Sequence, residues 1–125
     1  MPPIGRLSVL ALDCRNPGEV AEFYSALTGW PVGRVDEDWI QLRAEGPVTL
    51  AFQLAPDHVA PSWPDDAHPQ QAHLDFDVDD LDAAEAAALA LGARKSEVQP
   101  SPDLWWVFLD PAGHPFCLCV PDDER

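Results

Sequence analysis

Basic residues are scarce in this chain: seven Lys and Arg stand against 22 Asp and Glu in 125 residues, giving a formal charge of −15 and a pI near 4.2. Such a surface repels polyphosphate, so neither nucleic acid nor an anionic membrane is expected as a partner. The acidic residues are mostly dispersed, with Asp65-Asp66 and Asp122-Asp123-Glu124 as small clusters, and read as a solubilising surface. No apolar run approaches the roughly 18 residues of a membrane span. The opening Met1-Pro-Pro-Ile-Gly5 also lacks the charged start and apolar core of a secretory signal, so a cytoplasmic location is expected. Cysteine is sparse: Cys14, Cys117 and Cys119 are odd in number. The last two alternate along a predicted strand, on one face but too far apart for an ordinary strand-internal disulfide. Buried thiols are the expectation, with a reactive or ligating thiol as the alternative.

What is present is a duplication. Asn16 to Gly29 and Asp79 to Gly92 both read as capped helices closed by glycine, and Trp39 and Gly46 are matched by Trp106 and Gly113 at the same spacing of seven. Neither half buries enough apolar surface to fold alone, so one domain is expected, with modules at about 5–54 and 71–121 and a crossover at about 55–70. In the first module, Arg6 to Cys14 form a strand with Leu10, Leu12 and Cys14 on one face and Val9, Ala11 and Asp13 on the other. Asn16 fits an N-cap, Pro17 the first helical position and Glu19 the third, completing a capping box. Short strands are predicted at Pro31–Val35, Trp39–Ala44 and Val48–Leu54, separated by acidic or glycine-containing turns.

The crossover carries Pro56, Pro61, Pro64 and Pro69 and suits an extended connection. Trp63, set among them, is either a packing anchor or an aromatic pocket wall. In the second module, period two places Leu74, Phe76 and Val78 towards the helix and His73, Asp75 and Asp77 on the opposite face. Asp79 or Asp80 caps a helix rich in Ala83, Ala84, Ala87, Ala88, Leu89 and Leu91. Strands follow at Ala93–Val98, Leu104–Leu109 and His114–Val120.

Asn16 through Phe23-Tyr24 and Gly29, then His73 to Asp80, Gly92 and Asp110-Pro-Ala-Gly-His-Pro-Phe116, together resemble the vicinal oxygen chelate superfamily, which includes glyoxalases, bleomycin resistance proteins and extradiol dioxygenases. Trp63-Pro-Asp65, Gln70 to Asp75 and Gly113 to Cys117 resemble its glyoxalase-like domain proteins most closely. The resemblance implies an α+β fold of two βαβββ modules whose mixed sheets form a cup, often around a divalent metal. It also implies ligands from the first and last strand of each module, generally His and Glu, that leave positions open for neighbouring substrate oxygens. His73 keeps one of these positions. Val9, by the same count of seven before the cap, cannot ligate; Cys117, four after Gly113, replaces the usual Glu; Leu50, four after Gly46, is its counterpart. Gln53 would turn inward only with a bulge. The metal site is therefore degenerate, and neither metal nor cofactor is expected.

The candidate ligand-binding residues are His73, Asp75, Trp63, Trp105, Trp106, Phe52, Gln53 and Cys117. His73, flanked on its own face by Asp75 and Asp77, is favoured to protonate if those acids stay ionised, and is the candidate acid–base group. Adjacent Trp105 and Trp106 must point to opposite sheet faces, one under the helix and one towards the ligand. Asp13 matches Asp77, and such a pair suits a cation. His114 is explained by its turn, and His58 and His68 are expected at the surface. A small-molecule binding protein, its ligand aromatic or cationic, is the leading reading. The alternatives are a divalent-metal-dependent lyase, isomerase or dioxygenase, and a metal-free enzyme using His73 as base. A homodimer is expected from exposed sheet edges and from the superfamily's habit of pairing.

Overall fold

The computed structural model describes residues 2–125. The first module runs β1 (Val9–Cys14), α1 (Pro17–Thr28), β2 (Val32–Val35), β3 (Trp39–Leu42) and β4 (Thr49–Leu54). The second runs β5 (Leu74–Asp77), α2 (Leu81–Ala90), β6 (Arg94–Lys95), β7 (Trp105–Leu109) and β8 (Pro115–Cys119). Their sheets are ordered β1-β4-β3-β2 and β5-β8-β7-β6. In each, the first strand pairs parallel with the last and the other pairs are antiparallel. The duplicated βαβββ plan and the α+β class are as expected. Two compact units result, the first reaching His58 and the second spanning Val59–Arg125, so the proline-rich crossover is divided between them.

Local chemistry accounts for the elements. Asn16 Oδ1 accepts the Glu19 N–H at 3.2 Å, which satisfies one of the orphan donors at the start of α1. The reciprocal bond of a full capping box, from the Glu19 side chain, is not formed. Gly29, at φ +77°, ends the helix with its N–H on Ser25 O. Asp80 rather than Asp79 caps α2, its Oδ1 accepting from Ala83 N at 3.1 Å.

The first core lies between α1 and the face of β4 that carries Leu50 and Phe52. Val20, Ala21, Phe23 and Tyr24 are buried there, and the Tyr24 and Phe52 rings stack at 5.6 Å. Phe52 is thus a fully buried core residue, not a pocket residue. In the second unit Phe116 stacks on Phe108 and meets Phe76 edge-on. Helix α2 is shallower than its composition suggests: only Ala88 is buried, while Leu89 and Leu91 stay exposed. β6 shrinks to two residues. No helix among the described residues is long and apolar enough to cross a membrane.

Strand register corrects the count of equivalent positions. Leu10 pairs with Leu50 and Ala11 with Ala51, whereas Leu74 pairs with Phe116 and Asp75 with Cys117. Ala51, not Leu50, is therefore the counterpart of Cys117, and Gln53 that of Cys119. The error arose because Gly46 precedes β4 by three residues and Gly113 precedes β8 by two, and a one-residue slip exchanges the faces of a strand. Trp39, paired with Gln53, likewise matches Trp105, which pairs with Cys119, and does not match Trp106.

Candidate functional site

In the second module, the sheet face turned away from α2 is set by alternation. Trp105 and Val107 on β7, Cys117 and Cys119 on β8, and Asp75 and Asp77 on β5 share it. Val107, Cys117 and Cys119 are 3%, 7% and 1% exposed and form an apolar floor against which Trp63 and Trp105 pack. Above that floor opens a cavity of about 290 Å³ whose wall also includes Gln70, His73, Pro115 and Arg125. Its size is at the low end of the roughly 300–1,000 Å³ usual for small-molecule pockets.

One edge is polar. His73 Nε2 lies 3.2 Å from Asp75 Oδ1, and both side chains remain nearly half exposed. The Cys117 thiol lies beside this pair, and the His, Asp and Cys ligand atoms all fall within 4.8 Å of one another. Burial pushes the Cys117 thiol up to about 12, with the Asp75 charge and then Cys119 adding to the effect. Cys119 is raised as well, first by burial and then by Asp75. Neither sulfur is a thiolate near neutral pH, so nucleophilic cysteine chemistry is not supported here. Further along β5, Arg125 bridges Asp77 at 3.0 Å, and it also bridges Asp122 at 3.1 Å.

Of the predicted residues, His73, Asp75, Trp63, Trp105 and Cys117 are brought together around this cavity. Trp63 is both anchor and wall. Trp106 is not among them: on the other face of β7, its Nε1 donates to Pro102 O at 2.7 Å and Lys95 Nζ sits 4.3 Å above its ring. Gln53 lies in the first module on the face opposite Phe52 without any bulge in β4, and its Nε2 donates to Asp38 O at 3.2 Å. Asp77 is engaged by Arg125 rather than left for a cation. His58 is half-buried, contrary to expectation, whereas His68 is exposed. All three cysteines are buried. Gln70 and Arg125 were missed as site residues because neither lies in a periodic segment.

The profile of the glyoxalase-like domain family matches residues 9–119. The chain belongs to that family. Among solved structures, a glyoxalase/bleomycin resistance protein/dioxygenase family enzyme from Burkholderia phytofirmans PsJN is 20% identical, with a TM-score of 0.69 over 91% of this chain and 97% of that one. A glyoxalase-related enzyme from Fulvimarina pelagi is 19% identical, with a TM-score of 0.70 over 94% and 89%. A glyoxalase family protein from Enterococcus faecalis is 21% identical, with a TM-score of 0.67 over 93% and 98%. At these identities the likeness shows the fold. A search of curated proteins finds no match.

The divalent ion of the wider superfamily fits this glyoxalase-like chain poorly. The first-module positions equivalent to His73 and Cys117 are Val9 and Ala51, which offer no donor. The second module adds Asp75 to His73 and Cys117, three donors of mixed hardness, imidazole, carboxylate and thiol, all from one module.

Proposed function

We propose that this glyoxalase-like domain protein binds an aromatic small molecule in the cavity of its second module, without a metal. The observation that carries the reading is the packing of Trp63 and Trp105 onto the Val107–Cys117–Cys119 floor, an apolar surface edged on one side by His73 and Asp75. Flat aromatic surfaces suit an aromatic guest, and a few polar groups at one edge suit its orientation. The expected result is saturable calorimetric binding of small aromatic compounds to chelator-treated protein. Failure of every such compound to bind with Kd below about 1 mM would overturn it.

A second reading is favoured by the three clustered donors: a metal-dependent enzyme in which His73, Asp75 and Cys117 hold a thiophilic ion such as zinc. Elemental analysis of untagged protein separates the two. Near-stoichiometric metal that disappears in His73→Ala establishes the second, and metal-free protein supports the first. Homodimer formation is part of the proposal and is supported by the exposed edge strand β2, where Val32 and Val35 face solvent. Sedimentation at micromolar concentration tests it, and a purely monomeric species refutes it.

A further inference from the structure

We propose that the second-module cavity selects a primary ammonium group carried on the aromatic body, with Gln70 as the residue that reads its N–H groups. The inference rests on the binding reading above and names the ligand class.

The Gln70 carboxamide lines the cavity, and its Oε1 is shielded from solvent with no hydrogen-bond partner. A buried acceptor left unmet is costly, and a donor that meets it recovers that cost on binding. Because Oε1 has no hydrogen-bond partner among the described residues, turning it towards an incoming donor breaks no bond to that oxygen. Asp75 is the second acceptor. A carboxylate offers about four lone-pair positions; the His73 contact at 3.2 Å takes up only part of that capacity. Trp63 and Trp105 line the same cavity, and the negative quadrupole of an indole face favours a cation. Arg125 is the one guanidinium at the cavity, and it is already shared between Asp77 and Asp122. Asp75 is the one carboxylate lining the cavity among the described residues, and with Arg125 held by Asp77 and Asp122 its charge is not offset by that guanidinium. A carboxylate ligand would meet like charge at Asp75, an ether has no donor for Gln70 Oε1, and a primary ammonium donates to Gln70 and Asp75 together.

The test is calorimetry on the full chain with four probes of one shape: 2-naphthylmethylammonium, its N,N,N-trimethyl analogue, 2-naphthylmethyl methyl ether and 2-naphthoate. The primary ammonium is expected to bind about tenfold or more tighter than the trimethyl analogue and the ether, the scale of a charge-assisted hydrogen bond. Naphthoate is expected to bind weakest. Gln70→Met should collapse the ratio between primary and trimethyl affinities, while Gln70→Glu, of nearly the same shape, should keep or raise it. If the ether or naphthoate equals the primary ammonium, or if Gln70→Met leaves the ratio intact, the ammonium inference falls and aromatic binding stands. If none of the four binds, both fall.

Discussion

Trp105 and Trp106 are consecutive in the chain and do unrelated work, so replacing each by alanine separates binding from stability. Trp106 donates its indole N–H to Pro102 O and lies under Lys95, which is itself 2.9 Å from Glu85 on α2. The hydrogen bond contributes about 1 kcal/mol and the cation–π contact about 0.5–1 kcal/mol. With the loss of half-buried ring area, Trp106→Ala should destabilise by about 2–3 kcal/mol, below the 3–5 kcal/mol of a fully buried Trp. Trp105 is also half-buried but faces the cavity. A ring face of about 70 Å² no longer covered by a ligand is worth about 1.8 kcal/mol at 25 cal/mol/Å², close to twentyfold in Kd. Urea unfolding and calorimetry with the naphthyl probe, below the transition of both variants, read the two effects. Trp105→Ala should lose most of the binding and Trp106→Ala should lose stability with Kd within about threefold of the parent. Equal loss of affinity in the two folded variants would refute the assignment of faces.

The remaining predictions concern a turn and a thiol. Gly113 sits at φ +87°, and a Cβ there would collide with the Ala60 Cβ, whereas Gly29, at φ +77°, has open space. Gly29→Ala should therefore cost about 1 kcal/mol and Gly113→Ala about 2–4 kcal/mol, both read as urea midpoints; equal costs would deny the Ala60 contact. The folded chain binds the Cys117 proton more tightly than the unfolded chain does, so stability should fall as pH rises from about 9 towards about 12. Cys117→Ala should flatten that decline in part, because Cys119 is raised too; a decline unchanged in Cys117→Ala would contradict the burial of this thiol.

Much of the architecture is legible in the residues because helix caps and strand alternation are local signals. Asn16 and Pro17 mark the start of α1, and Leu74 and Phe76 against Asp75 and Asp77 assign the faces of β5 correctly. Pairing is not local. Counting from Gly46 put Leu50 opposite Cys117, since only the β1–β4 register shows that the glycine occupies different places in the two turns. For the same reason Trp39 was matched to Trp106 rather than to Trp105. Phe52 was misplaced because a lone aromatic in a strand gives no sign of which face carries the helix; its stacking on Tyr24 settles that. Gln70 was invisible as a site residue, because its significance lies in a carboxamide oxygen shielded without a partner, a property of surroundings rather than of sequence.

Aligning the modules by register locates where they have diverged. Helix-packed positions stay large and apolar in both, with Leu50 and Phe52 answered by Phe116 and Leu118, since each must fill space under its own helix. The opposite face carries no such requirement. There Trp39 is matched by Trp105 and Asp13 by Asp77, but Val9, Ala11 and Ala51 stand where His73, Asp75 and Cys117 do. Every donor of the clustered His, Asp and Cys set thus comes from the second module, and every residue lining the cavity around it belongs to the unit Val59–Arg125. A metal centre shared equally by two modules needs donors at both sets of positions. A cavity floored by Cys117 and Cys119, walled by Trp63 and Trp105 and edged by Asp75 and Gln70 needs only the second, and this division of donors is what favours a binding pocket over the superfamily's shared ion.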